Sequence, residues 1–265
     1  MAPAIVDPTV SIVIPAFNEA HRIVPSLTAL SDYCERRLGR YEILCVDDGS
    51  TDGTARMVCA AGLPEAVRVL RLPHNRGKGG AVQAGMLWAA GDHRFYTDAD
   101  LPYRLTAFED ALDLLHSGTC DIVAGDRTLG TCRHRRSGGF WRRLASCMFR
   151  RAVRRVARLD AGDSQCGFKG FTAAAADAVF RTLTTMGFAF DVEILLLAEA
   201  SGLRVARMPV HLVHCGGSSV RLPREAFAMT LDLVRLAWRP RGRESGRMQP
   251  TDTGASHGSL LDIAG

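Results

Sequence analysis

The chain has 265 residues, 47% of them hydrophobic and 23% charged, with a formal net charge of +5. That length and balance exclude a small disulfide-stapled scaffold and a solvated, coreless chain, and they fit one large α/β domain. No basic start followed by an apolar core opens the chain, and no run of about eighteen uncharged apolar residues occurs. Neither a secretory signal nor a spanning helix is therefore expected. The eight cysteines include no C-x-x-C pair. They read as reduced, buried thiols of a cytosolic protein and not as a zinc site.

In chain order, "TVSIVIPAF" (9–17) and "YEILCVDD" (41–48) are apolar runs that end in turn or acidic residues. "AVRVLRL" (66–72), "HRFYTDAD" (93–100) and "CDIVAG" (120–125) repeat the form. Helical patterns lie between them at 22–38, 54–61, 79–90 and 105–116. Strands buried on both faces and separated by helices predict βαβ units and a mainly parallel sheet. Pro15 is expected to break the first strand. Beyond residue 126 the rhythm changes. Residues 133–159 carry ten arginines and no acid, with Trp141, Leu144, Met148, Ala152, Val156 and Leu159 at helical spacing. This predicts a basic amphipathic helix. "CGFKGF" (166–171) reads as a strand, "FDVEILLLAEASG" (190–202) as a helix and "LRVARMPVHLVH" (203–214) as one or two extended segments. A second basic amphipathic helix is expected over 223–240 and a disordered tail over 241–265.

Ligands of open α/β sheets bind at the carboxyl ends of the strands, and the acids gather there: Glu19, Asp47, Asp48, Asp98 and Asp100. Alternate side chains of a strand share a face, so Asp98 and Asp100 can converge on one point. Two hard oxygen ligands suit a divalent cation that itself carries phosphates; an ordinary acidic turn accounts for the same triplet. In "VDDGSTDGT" (46–54), Ser50, Thr51 and Asp52 are N-cap types, but capping leaves the doubled Asp47–Asp48 unexplained. "HNRGKGGAV" (74–82) is a Gly-rich loop opening a helix and is a candidate phosphate seat. It is neither a Walker A loop nor G-x-G-x-x-G, since Leu72 and Val82 stand where glycines belong. "GDSQCG" (162–167) fails as a nucleophile elbow, with Cys166 in place of the Gly.

Taken together, "SIVIPAFNEAHRI", "ILCVDDGSTDGT", "HNRGKGGAVQAG", "YTDADLPY", "GDSQCGFKGF", "FAFDVEIL" and "GGSSV" resemble, in order, the family 2 glycosyltransferases of the GT-A fold. The resemblance covers residues 9–238, within a GT-A domain expected over 1–240. It lies nearest the dolichyl-phosphate β-glucosyltransferases and polyprenyl-phosphate mannose synthases. It implies a mainly parallel central sheet flanked by helices and metal-dependent, inverting transfer of a hexose from a UDP- or GDP-sugar to a polyprenyl phosphate. Pro15, Ala16 and Glu19 would line the nucleotide base, and Asp47 or Asp48 would hold the uridine or guanosine. Lys78 and Ala99 would belong to the same nucleotide-sugar site. Asp98 and Asp100 would bind Mg²⁺ or Mn²⁺ across the donor diphosphate.

Asp191 and Glu193 match a family motif near the reaction centre, and a hydroxyl acceptor would need one of them as base. Their other reading is solvation of a helix start. Arg127, Arg133, Ser218 and Arg221 match segments near the donor and acceptor phosphates; Arg221 stands one place from the family's basic position. A soluble hydroxyl acceptor in bacterial glycan or secondary metabolism is the alternative. From a different class, a non-catalytic anion or nucleic-acid binder is opposed by the intact set of acids. The arginine-rich stretch lacks the interleaved aromatics of a nucleic-acid surface. With Phe140 and Trp141 it suits anionic lipid, so a cytoplasmic protein, peripheral at the inner face of a membrane, is expected.

Overall fold

A computed structural model describes residues 9–129, 163, 165–187, 189–213 and 259–261. The two expected basic helices lie outside the described residues, as do Arg133, Ser218 and Arg221. In chain order the elements are β1 (Val10–Ala16), α1 (Ile23–Arg37), β2 (Tyr41–Asp47), α2 (Thr54–Cys59), β3 (Val67–Arg71), α3 (Lys78–Trp88), β4 (His93–Tyr96) and α4 (Ala107–His116). They continue with β5 (Ile122–Asp126), β6 (Lys169–Thr172), α5 (Ala173–Phe180), α6 (Phe190–Ala200), β7 (Val205–Pro209) and β8 (Ser259–Leu261).

The strands form one sheet in the order β7-β5-β6-β4-β1-β2-β3-β8. β4, β1, β2 and β3 are mutually parallel, β5 is parallel to β7, and β6 and β8 run against their neighbours. Alternation of side chains divides the core. Ile12, Ile14, Ile43, Cys45, Val67 and Val69 face one way, with Leu27 and Leu30 of α1, Val58 of α2 and Phe108 of α4. Val13, Leu44, Val46 and Leu70 face the other, with Val82 and Met86 of α3, Val179 of α5 and Ile194 of α6. β1, β2 and β3 are therefore apolar on both faces, as their continuous apolar runs require.

Three expectations need correcting. Pro15 does not break β1: the strand continues through it to Ala16, opposite Asp47. Val13 accepts from the Thr97 N–H on the β4 side, and Ala16 accepts from the Asp48 N–H on the β2 side. Pro15 thus turns its missing donor toward β4, where pairing has already ended, and no ladder bond is lost. The tail expected to lack structure supplies β8, in which the Leu260–Leu261 pair covers the free edge of β3. α5, in "AAAADAVF", was not foreseen; Thr172 caps it by accepting from the Ala175 N–H at 3.3 Å.

β1 has β2 on one side and β4 on the other, so the direction of winding reverses there and a crevice opens beyond their carboxyl ends. The loops 17–22 and 97–106 border it and lead into α1 and α4. Those helices are clamped together: the Tyr33 hydroxyl (2.6 Å) and the Arg37 guanidinium (2.7 and 2.8 Å) donate to Glu109. Arg37 and then Tyr33 hold the Glu109 carboxyl down at about 2. A depressed carboxyl stabilises the fold above its unfolded value of about 4.3, and that contribution is lost as pH falls toward 2. Because the pair lies at the surface, Glu109→Gln is expected to cost under about 1 kcal/mol at pH 7. The difference from wild type should vanish near pH 2, as read by urea unfolding at both pH values.

Candidate active site

The β4 ladder runs one residue past the strand through the Thr97 N–H, which leaves Asp98 at the lip of the crevice. The chain then turns, with Leu101 donating its N–H to the Asp98 carbonyl and itself in the left-handed region at φ 43°. Burial raises the Asp100 carboxyl above its ordinary range and the neighbouring Asp98 charge adds to this, against the opposing pull of Arg22. Lys78, the first residue of α3, places its Nζ on Asp98 Oδ1. Burial disfavours the ammonium, but the Asp98 charge and then that of Asp191 outweigh it, and its pKa is raised. Gly167 passes so close that a Cβ there would sit 2.2 Å from Asp98 Oδ2.

The two loops over the ends of β1 and β2 are stitched together. Asn18 N–H donates to Ser50 Oγ (2.9 Å), Glu19 N–H to Thr54 Oγ1 (2.9 Å) and Ala20 N–H to Asp52 Oδ2 (3.0 Å); Thr51 N–H donates back to Asn18 Oδ1 (3.0 Å). Ser50, Thr51 and Asp52 are N-cap types for α2. The N-cap position is Gly53, but Asp52 Oδ1 does accept the Thr54 N–H at 3.0 Å at the start of the helix, while Ser50, Thr51 and Asp52 Oδ2 serve the neighbouring loop. Glu19 takes both its oxygens to the Arg22 guanidinium. Pro15 is half-buried and Ala16 buried beneath this loop, and Ala99 packs into the core on the α1 side.

The doubled acid divides its work. Asp48 accepts the backbone N–H groups of Arg76 (2.7 Å) and Gly77 (2.9 Å), bracing the Gly-rich loop. Asp47 accepts from the Ser50 N–H at 3.1 Å, while its Oδ2 is buried without a hydrogen bond, 3.5 Å from Arg71 Nε. Of the two, Asp47 has an oxygen that receives no hydrogen bond and faces only the Arg71 guanidinium.

The Gly79 and Gly80 amides of the Gly-rich loop are not open to a phosphate. The amides at the start of α3 are taken by protein: Gly79 N–H donates to the Met186 carbonyl at 2.8 Å and Gly80 N–H at 3.4 Å. A Cβ on Gly79 would meet the Thr185 carbonyl at 2.6 Å, so glycine is there to let two backbones approach. What reaches the crevice from this segment is the Lys78 side chain.

The two acids of "FDVEI" also separate. Glu193, 1% exposed, accepts from the N–H groups of Thr184 (3.2 Å) and Thr185 (2.6 Å) and from the Thr184 hydroxyl (2.8 Å). It holds the turn that supplies the Met186 carbonyl. Asp191 Oδ1 accepts from the Tyr96 hydroxyl and from Lys169 Nζ, both at 2.5 Å. Lys169 is wholly buried and also donates to the Cys166 carbonyl at 2.9 Å. Arg127 forms a two-pronged ion pair with Asp163, which fixes the exit of β5. The structure thus brings together Lys78, Asp98, Asp100, Arg22 and Glu19, with Asp191 close behind Lys78.

The family model for glycosyl transferase family 2 matches residues 11–180. The chain belongs to that family. This transferase is 32% identical over 241 residues to the dolichyl-phosphate beta-glucosyltransferase of Dictyostelium discoideum, covering 86% of this chain and 74% of the relative. The enzyme of the same name from Homo sapiens is 31% identical, with 86% of this chain and 77% of the relative covered. Among solved structures, glucosyl-3-phosphoglycerate synthase from Mycobacterium tuberculosis superposes with a TM-score of 0.65 at 19% identity, covering 87% and 80% of the two chains. That protein was crystallised with Mn²⁺, UDP-glucose and phosphoglyceric acid. Mannosyl-3-phosphoglycerate synthase from Rubrobacter xylanophilus gives 0.65 at 22% identity, over 92% and 78%. The fold of this transferase is accordingly GT-A.

Sequence reasoning passed over Lys169, Tyr96 and Gly167. The signal available for Lys169 was a lysine inside an apolar strand, which burial makes costly unless an acid is paired with it. Gly167→Ala is expected to leave the fold intact by circular dichroism while displacing Asp98. A shift on the ångström scale at a reacting centre costs about 10²-fold in rate, to be read as sugar transfer at saturating donor.

Proposed function

We propose that this transferase moves glucose from UDP-glucose to a polyprenyl phosphate, with inversion at the anomeric carbon and with Mg²⁺ or Mn²⁺. The carrying observation is the Asp98–Asp100 pair at the switch point of the sheet, with Lys78 poised on it. The acceptor and the sugar follow the named activity of the relatives. UDP-glucose carries its sugar in α linkage, so a β product requires inversion.

The acid pair fits a divalent cation. Two carboxylates repel each other at one point, and a Lys78 ammonium already stands in for positive charge on one of them. Among the described residues no third His, Cys, Asp or Glu joins them. The remaining ligand positions are therefore left to the donor's phosphates and water, as such cations prefer. Bound there, the metal would stabilise the negative charge that collects on the departing diphosphate.

The protein's own groups supply the rest. Asp47 Oδ2 offers an unused acceptor for a base N–H, and the stitched loops 17–22 and 48–54 hold the base site rigid. Arg22 balances the acids and keeps Glu19 in place. A phosphate monoester acceptor has its second pKa near 6 and arrives ionised, so it needs no protein base. That agrees with Asp191 bound to Lys169 and Tyr96 and with Glu193 spent on a turn, and it disfavours a hydroxyl acceptor.

No helix among the described residues is long and apolar enough to cross a membrane. The Tyr103–Leu212 bridge and the Arg104 N–H to His211 carbonyl bond (3.0 Å) tie the loop after Asp98 to the chain that leads toward Ser218 and Arg221. The described chain thus reaches residue 213 beside the loop that follows the acids, and the sequence beyond it carries Arg221 and Arg224, which supports a lipid phosphate approaching from an anionic membrane surface.

The Asp98→Asn/Asp100→Asn variant should stay folded and lose at least about 10²-fold in transfer to polyprenyl phosphate, as should wild type in EDTA. Wild-type transfer should decline as pH drops below about 6, when the acceptor gains a proton. Transfer at the wild-type rate by the folded double variant would sink the assignment.

A further inference from the structure

The carboxylate on which Lys78 rests is one that an incoming divalent cation would need. We propose that Lys78 is an internal counter-cation, which holds Asp98 in the empty enzyme and exchanges it for the donor's diphosphate when the metal binds. The inference rests on the reading of Asp98 and Asp100 as ligands of that metal.

The geometry makes the two cations competitors. Lys78 Nζ lies on Asp98 Oδ1, with the side chains 20% and 32% exposed, so water screens the pair only partly. The backbone beneath Lys78 is fixed on both flanks, by the Gly77 N–H on Asp48 and the Gly79 N–H on the Met186 carbonyl. The four-carbon stem above that anchor can pivot, and its ammonium carries three donors that suit a phosphate.

A displaced ammonium needs another anion. The second carboxylate in its field is Asp191, whose Oδ1 already receives Lys169 and Tyr96. Asp100 would be taken up with the metal. A metal binding alone would thus strand a largely desolvated ammonium, which is costly. A metal binding with a diphosphate brings the new partner for Lys78 with it. Metal and nucleotide should therefore strengthen each other's binding, reciprocally, and Lys78 should carry the coupling.

Mn²⁺ binding read by electron paramagnetic resonance, without and with UDP, tests this on the protein without any sugar transfer. In wild type, UDP should tighten Mn²⁺ on the order of tenfold, within the usual range for coupled sites. Lys78→Met should bind Mn²⁺ alone about tenfold more tightly than wild type and lose most of the UDP enhancement. Lys78→Gln, which keeps a polar chain, should behave alike, and Lys78→Arg should keep the coupling. The exchange is overturned if UDP leaves wild-type Mn²⁺ affinity unchanged. It is equally overturned if both neutral variants bind Mn²⁺ no more tightly than wild type, or keep its full UDP enhancement; the acid pair then still stands as the metal site. Should Asp98→Asn/Asp100→Asn bind Mn²⁺ with UDP as wild type does, the metal-site reading falls and takes the exchange with it.

Discussion

Asp98 and Asp100 leave β4 one residue apart where the apolar core ends, so their charges repel at a place that water screens only partly. That repulsion is what the surroundings are arranged around. Lys78 reaches in from α3, Arg22 from the start of α1, and Gly167 stands aside for the Asp98 carboxylate. Arg22 opposes the burial and the Asp98 charge that push the Asp100 carboxyl upward, and so helps to keep it ionised. The resting site is kept near electrical balance, yet one of its balancing charges sits on a long, flexible stem.

Rigidity is supplied by backbone and not by the charged tips. Glu193 gathers the Thr184–Thr185 turn, the turn presents the Met186 carbonyl, and that carbonyl receives the first amides of α3, whose first residue is Lys78. Asp48 fastens the other flank through the Arg76 and Gly77 amides. Two acids that look ready for ligands are thus employed in holding main chain, where each hydrogen bond to a charged acceptor contributes about 1.5–3 kcal/mol. A ligand-binding loop built in this way needs little ordering when the donor arrives.

The first four strands were legible because each is an apolar run closed by an acid or a turn residue. β1, β2, β3 and β4 fall within one or two residues of expectation at their starts. The Asp98–Asp100 pair stood out only beside the other acids and motifs, since its spacing alone also fits an ordinary acidic turn, and in the structure both residues stand past the end of β4, where the chain turns. Partnership across long sequence distances was not legible. Nothing local to Asp48 announces the loop at 76–77, nothing in "GDSQCG" announces that Asp163 holds Arg127, and nothing in "CGFKGF" marks Lys169 as the partner of Asp191. The glycine run at 77–80 misled for a related reason. A glycine needed for the approach of another backbone looks the same in sequence as one needed for a phosphate. β6 runs against its neighbours although its composition resembles that of the parallel strands, because direction is set by where the chain re-enters the sheet.

Lys169 shows how the buried half of the site bears on chemistry. A fully buried ammonium persists only with a carboxylate beside it, and breaking such a pair from one side costs about 3–5 kcal/mol. Asp191 is bound into that pair and into the Tyr96 hydroxyl. Both bonds fall on one oxygen, and a proton taken on the other would still cancel the charge that balances Lys169. An acceptor that is already an anion makes no such demand. It requires positive charge and an open approach, and the described chain runs to residue 213 beside the loop after Asp98, with Arg221 and Arg224 following in sequence. The ion pair that secures the interior thereby gives Asp191 a structural duty.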